Sequence, residues 1–268
     1  MKKALYTLSS LYAFFLISCG GVPEKSTNTS VEKLVFSVAE VLEMVSKEND
    51  VTRTLYTKAI VGAGKKQGIK FDEDWQKEEV EAGPLPALFL RGIANDIQKS
   101  EVPLGLYLGS DFPINKANKF EGKQAELFHQ IKKDRAPQHF FDEEQKMHTA
   151  MFADVAGAAA CVSCHNKHEQ TTKDDWKLGD VMGATTWQYP TDSLSYKNTI
   201  AILKAYRNGT EAVYQDYLHE IAAFKTSSKP EIGDKWPSDG GLYLPSPAVF
   251  LDSVRELAAY ETMTTLLK

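Results

Sequence analysis

Cysteine is scarce in this sequence: there are three in 268 residues, at positions 19, 161 and 164. So few exclude a disulfide framework, and they leave no second thiol pair to complete a zinc site. The counts of 17 glycines and 11 prolines, with 43% hydrophobic and 25% charged residues, exclude a collagen-like, low-complexity or wholly disordered chain. Positive charge is not in excess either. Lysine and arginine number 31 against 36 aspartate and glutamate, a net charge of −5 and a pI near 5.7, which argues against a nucleic-acid binder. Beyond the first 18 residues no apolar run approaches the roughly 18 residues of a membrane-crossing helix. No internal repeat is present. A chain of this length has enough residues to bury a real core.

The first segment reads as an address. Lys2 and Lys3 precede an apolar stretch from Ala4 to Ile17, of signal-peptide length and too short to span a bilayer comfortably. Leu16-Ile17-Ser18-Cys19 then resembles the bacterial lipobox. That resemblance implies cleavage before Cys19, lipidation of its thiol and acylation of its new amine. Residues 1–18 are thus expected to be removed. Loss of Lys2 and Lys3 leaves a more acidic chain, held to a membrane by several acyl chains. Gly20, not an aspartate, follows Cys19, so no inner-membrane retention signal is evident. The expected destination is the outer membrane, facing the periplasm. Residues 19–30 are polar and turn-rich and read as a tether.

Apolar spacing of three and four predicts a helix from Val31 to about Ala63, with Thr29 and Glu32 as its capping box. Lys70 to Gly83 reads as irregular or partly helical. Further helices are expected at Ala87–Lys99 and from Asn118-Glu121 to Lys133. Strands are expected at Val102–Phe112, His139–Phe141, Met147–Val155 and Val181–Tyr189. After Pro190 the pattern turns helical. Ser193–Arg207 and Glu211–Phe224 are expected to join at Asn208-Gly209. A loop from Thr226 to Pro245 then leads to a last helix, from Ser246-Pro247 to about Leu267. The order predicts an α+β domain with an antiparallel sheet over residues 31–190, and a helical extension over 191–268.

Cys161-Val162-Ser163-Cys164-His165 is a C-x-x-C-H sequence, the attachment pattern of c-type haem. Two thiols two residues apart can form thioethers with the two vinyl groups of one porphyrin edge. The adjacent imidazole can supply the proximal iron ligand. A redox dithiol would call for a thioredoxin-like βαβ setting, which the pattern does not suggest. One such motif implies one covalent haem c, with His165 on the metal. The sixth iron ligand stays open between Met151, His148 and Met147, with an empty or water-filled position as the alternative. His168 lies too close to His165 to reach the opposite face. Met44, Met182, His129 and His139 complete the candidates.

Downstream stand Asp175-Trp176-Lys177-Leu178-Gly179-Asp180-Val181-Met182-Gly183. Upstream are Leu55-Tyr56-Thr57, Pro84-Leu85-Pro86-Ala87, and Ser110, Pro113, Asn115, Asn118 and Glu121. Together with the haem motif these residues resemble the single-haem, c-type PAS-like domain family, over roughly residues 35–190. Its members include extracytoplasmic input domains of bacterial histidine kinases and chemoreceptors, and free-standing haem proteins. The resemblance implies a PAS-like antiparallel sheet with flanking helices around one haem. It assigns Cys161, Cys164 and His165 to that haem, and implies that Trp176, Gly179 and Asp180 are structural or haem-adjacent. PAS-like domains often pair, so a homodimer is among the expected assemblies.

The expected function is that of a mono-haem, c-type cytochrome-like envelope lipoprotein transferring electrons with a redox partner. The alternative is an extracytoplasmic redox or gas sensor acting through a separate signalling partner. No acid–base pair dedicated to catalysis is evident, so enzymatic activity is not expected, although peroxidase-type chemistry stays open.

Overall fold

A computed structural model describes residues 34–238 and 240–266 of the chain. The leader, Cys19, the tether and the Thr29–Glu32 pair lie outside the described residues. The chain enters through a short strand β1 (Val35–Ser37), and helix α1 (Val38–Leu55) follows at once. Its N-terminus is closed by a capping box. The Ser37 hydroxyl accepts from the Glu40 N–H at 3.3 Å, and the Ser37 N–H donates to the Glu40 carboxylate at 2.8 Å. The helix therefore starts later than the apolar spacing suggests.

α1 runs on without a break into a seven-residue π-helix, Tyr56–Gly62, and a last α-helical turn, α2 (Ala63–Lys66). A π-helix of this length is rare, and such segments are frequent at functional sites. Tyr56 anchors it. Its ring stacks on Phe89 with centroids 4.0 Å apart, and its hydroxyl donates to the Pro84 carbonyl at 2.7 Å. Two short strands, β2 (Phe71–Asp72) and β3 (Gly83–Pro84), then pair in parallel across a stretch that the sequence reads as irregular or partly helical. Helix α3 (Pro86–Gln98) follows, with Pro86 in its first turn.

The central element is a four-stranded antiparallel sheet made of β4 (Gly105–Gly109), β5 (Gln138–Asp142), β6 (Met147–Val155) and β7 (Val181–Tyr189), in the order β4-β7-β6-β5. Helix α4 (Gly122–Asp134) lies between β4 and β5 in sequence. Asn118 and Glu121 do not form its cap. Instead Asn115 caps a 3₁₀ turn at Lys116–Asn118, and α4 starts after Glu121 without a side-chain cap.

Alternation along the strands separates two cores. Ala150, Phe152 and Trp187 face α1, α3 and the C-terminal helices. Met151 and Ala184 face the other way, onto Phe120, Leu127, Phe128 and Ile131. The outcome is an α+β fold with flanking helices on the sheet.

The segment after Pro190 is tied directly into this core. Strand β8 (Ser193–Ser195) pairs with β1, and helix α6 (Tyr196–Ala223) runs unbroken. The expected break at Asn208-Gly209 is absent. Gly209 is instead a contact point, where a Cβ would lie 3.1 Å from the Ile93 carbonyl and 3.2 Å from the Asp96 Cβ on α3. A glycine there lets two helices approach closely within a continuous helix. The expected loop over 226–245 contains a parallel pair, β9 (Glu231–Gly233) and β10 (Tyr243–Pro245). Helix α7 (Pro247–Leu266) closes the described chain. Glu48 on α1 is wholly buried and receives a bidentate Arg207 guanidinium from α6, with the Thr262 hydroxyl of α7 donating to it at 3.3 Å.

Candidate functional site

Cys161, Cys164 and His165 lie on helix α5 (Ala159–Lys167), four residues after β6 ends. Spacings of three and four put the three side chains on one flank of that helix. Each is half-buried, and neither cysteine is in a disulfide.

The helix is held in place by the block that follows it. The Asn166 amide donates to the Trp176 carbonyl at 3.0 Å and accepts from the Trp176 N–H at 2.9 Å. Residues 167–175 are thereby tied back onto α5. Trp176 is buried with Ala156 and Met182, and Cys161 and Val162 pack against that group. Lys177 to Asp180 then make a tight turn. The Asp180 N–H reaches the Lys177 carbonyl at 3.1 Å, and Gly179 takes φ +90°, which a type II turn requires at its third residue. The Asp180 carboxylate accepts from the Lys177 N–H at 2.8 Å. The turn is docked to the start of the α5 loop by Ala156 N–H to Asp180 carbonyl at 2.9 Å and Gly179 N–H to Ala156 carbonyl at 3.0 Å. Gly183 serves a different need. A Cβ there would sit 2.4 Å from the Gly109 carbonyl oxygen, so β7 can pass β4 at this point only as glycine. Trp176, Gly179 and Asp180 thus have structural work that the geometry makes explicit.

A cleft of about 670 Å³ opens beside α5, within the range of roughly 300–1,000 Å³ typical of small-molecule sites. Ala160, Ser163 and Cys164 form one wall, with Lys65, Phe71 and Leu85 among the residues opposite. A second feature near α5 is an ion pair between α1 and β6. Arg53 donates to Asp154 at 2.7 Å and to the Thr185 hydroxyl at 3.4 Å. Arg53 stands in the last turn of α1 and Asp154 at the end of β6. The sequence reading missed both residues.

Burial lowers the His165 pKa against the opposing pull of Asp154, which leaves the ring neutral and a nitrogen lone pair free near pH 7. Burial also pushes the Cys164 thiol up. The His165 ring makes no hydrogen bond with the described residues, whereas both nitrogens of His168 are engaged. The Gln170 N–H donates to His168 Nδ1 at 3.1 Å, and Nε2 lies 3.3 Å from Glu73. Among the described residues no cluster of three or more His, Cys, Asp or Glu could hold a metal ion. A metal at His165 would therefore have to bring further ligands with it.

The three residues considered for a sixth ligand are not gathered at α5. Met151 is wholly buried in the core beneath α4. Met147 and His148 start β6, opposite Asp142 and Phe141. Asp154 lies near the other end of that strand, on the order of 20 Å away at about 3.4 Å per residue. Of the remaining candidates, Met44 is buried in the main core, while His129 and His139 are exposed. Met182 packs beside Cys161.

The fold and site define a class: an α+β domain that presents two thiols and an imidazole on one helix flank beside a cleft. The sequence pattern of the Tll0287-like family (Tll0287) matches residues 26–190, more than half of the chain, and the chain belongs to that family. Searches of curated proteins and of solved structures found no match.

Proposed function

We propose that this chain is an envelope lipoprotein with a PAS-like domain that carries one covalent haem c and exchanges electrons with a partner protein. The observation that carries the reading is the placement of Cys161, Cys164 and His165 on one flank of α5, with neither thiol in a disulfide and no side-chain hydrogen bond to them among the described residues, and with Cys164 lining a cleft of about 670 Å³. The residues fit the group. Each thiol adds across one vinyl group with no leaving group, giving two thioethers, and the neutral imidazole is a ready iron ligand. The haem would supply one-electron exchange between ferrous and ferric iron. Cys161, Cys164 and His165 hold it, while Trp176 and Asn166 keep α5 in place. The four-stranded antiparallel sheet with helices on both faces is consistent with the PAS-like assignment. Anchoring rests on Cys19, with the outer membrane as its destination.

A specific observation favours a second reading, a sensor of redox state or of a small gas. Met151, His148 and Met147 all lie away from α5 and, of the other candidates, Met182 packs beside Cys161, so few side chains would compete with an exogenous ligand for a sixth position. Optical spectra of oxidised and reduced protein, with and without CO, test the two. A low-spin haem inert to CO supports electron transfer. A five-coordinate ferrous haem that binds CO supports sensing. Replacing Cys19 by serine moves the protein from the membrane fraction to the soluble periplasmic fraction if the anchor is as described.

A further inference from the structure

We propose that Arg53 and Asp154 are a charge pair that sets the electron affinity of the iron, a role that rests on the reading of α5 as the haem helix. Three elements converge to build the pair. Arg53 comes from the last turn of α1, Asp154 from the end of β6, and Thr185 from β7 holds the guanidinium from the other side. The β6–β7 register shifts between Asp154 and Val155. A bulge of this kind re-aims a side chain, and bulges are common beside functional sites. Here Asp154 points at Arg53, from the side of the sheet where α1 lies. The next element in the chain is α5.

The pair lies at the foot of the motif helix: Asp154 stands two residues before Ala156, which belongs to the cluster that Cys161 of α5 packs against. Both side chains are part-buried, with relative exposures of 24% and 31%, so water screens their charges less than at an open surface. For folding, the attraction within such a part-buried pair is offset by the desolvation of both charges. Its leverage on a neighbouring redox centre is larger, because transfer of one electron changes the charge there by one unit. A cation favours the reduced state and an anion the oxidised state. Held together, Arg53 and Asp154 nearly cancel. Removal of Arg53 leaves Asp154 without its cation, and removal of Asp154 leaves Arg53 with Asp50 as its remaining acidic neighbour.

The test is a spectroelectrochemical titration of purified, haem-loaded, full-length protein and its variants. At the potential where the wild type is half-reduced, the reduced-to-oxidised ratio should fall at least about threefold in Arg53→Gln. It should rise by a similar factor in Asp154→Asn. Threefold is about 28 mV at 59 mV per tenfold for one electron. Arg53→Lys, which keeps the charge, should stay near the wild type, and the double variant Arg53→Gln/Asp154→Asn should return toward it. Unchanged potentials, or shifts of the same sign in both single variants, overturn the proposal. If Arg53→Gln does not load haem, Asp154→Asn must still lie above Arg53→Lys, and equality of those two overturns it. Intact mass separates this failure from failure of the haem reading: a wild-type protein without covalent haem ends that reading, whereas a loaded protein with unordered potentials ends only the role of the pair.

Discussion

Asn166 and Trp176 are joined by two hydrogen bonds between one side-chain amide and one backbone unit, at 2.9 and 3.0 Å. The residue directly after the motif histidine thereby fixes the start of the Trp176–Asp180 block, and Trp176 in turn packs against the helix that carries Cys161. Replacement of Asn166 by alanine strands a part-buried N–H and carbonyl, and it should cost about 1–3 kcal/mol. Asn166→Asp should be no milder, because the carboxylate lacks the N–H that donates to the Trp176 carbonyl. Denaturant unfolding of the two variants checks this. Wild-type stability in both would contradict the tie.

The two glycines of the downstream block should fail for different reasons. Gly183→Ala drives a Cβ to 2.4 Å from the Gly109 carbonyl oxygen. The obstacle is backbone, so the sheet edge must move and the loss should reach about 1–3 kcal/mol. Gly179 has open space around it but a φ of +90°, so Gly179→Ala should cost about 1 kcal/mol through backbone strain alone. Asparagine at position 179 should recover part of that loss, while asparagine at 183 should not. Thermal unfolding of the four variants resolves the pattern.

The C-terminal helices are held to α1 by a buried carboxylate. Glu48 is fully buried and is met by Arg207 and Thr262. Arg207→Ala leaves that charge without its cation, and a loss of about 3 kcal/mol is expected. Arg207→Lys should restore only part, since lysine replaces a bidentate fork with a point charge. Equal stability of Arg207→Ala and the wild type would mean that the pair does not hold α6 against α1.

Acid sensitivity should trace in part to Glu81. Its carboxylate accepts from the Lys225, Thr226 and Ser227 N–H groups and from the Thr226 hydroxyl. These bonds hold its pKa far below the usual carboxylate value, the hydroxyl of Thr226 contributing most. A group depressed in the folded state stabilises it above the unfolded-state pKa of about 4.3 and loses that contribution as pH falls below it. Glu81→Gln should therefore be less stable than the wild type at pH 7, with the gap narrowing as pH falls below about 4. A gap constant from pH 7 to pH 3 would contradict this.

Much of the fold is legible along the chain. The strands at Met147–Val155 and Val181–Tyr189 coincide with their sequence boundaries, because their alternation reflects two buried faces of different composition. The break expected at Asn208-Gly209 fails for a tertiary reason: a turn-forming dipeptide reads locally as a stop, yet the glycine is required by the approach of α3. The π-helix is equally hidden, since Leu55 and Ala59 keep ordinary helical spacing and Tyr56 takes its partners from Phe89 and Pro84. At the site, Cys161, Cys164 and His165 announce themselves by spacing. Arg53 does not, because it stands among ordinary polar helix residues and meets an aspartate 101 positions away. The sixth-ligand candidates are named by residue type alone: Met147 and His148 stand at the far end of β6, and Met151 faces the core beneath α4.

The central claim is that Cys161 and Cys164 carry one haem with His165 on its iron. Intact-mass measurement of the full chain, produced in a host that attaches c-type haem outside the cytoplasm, tests it most directly. The account predicts the wild type at the mass of the processed chain plus one haem, resistant to acid extraction. Cys161→Ala/Cys164→Ala should lack the covalent group, and His165→Ala should show an altered spectrum or no haem. A wild-type chain without covalent haem under those conditions, or equal haem on the double cysteine variant, would contradict it.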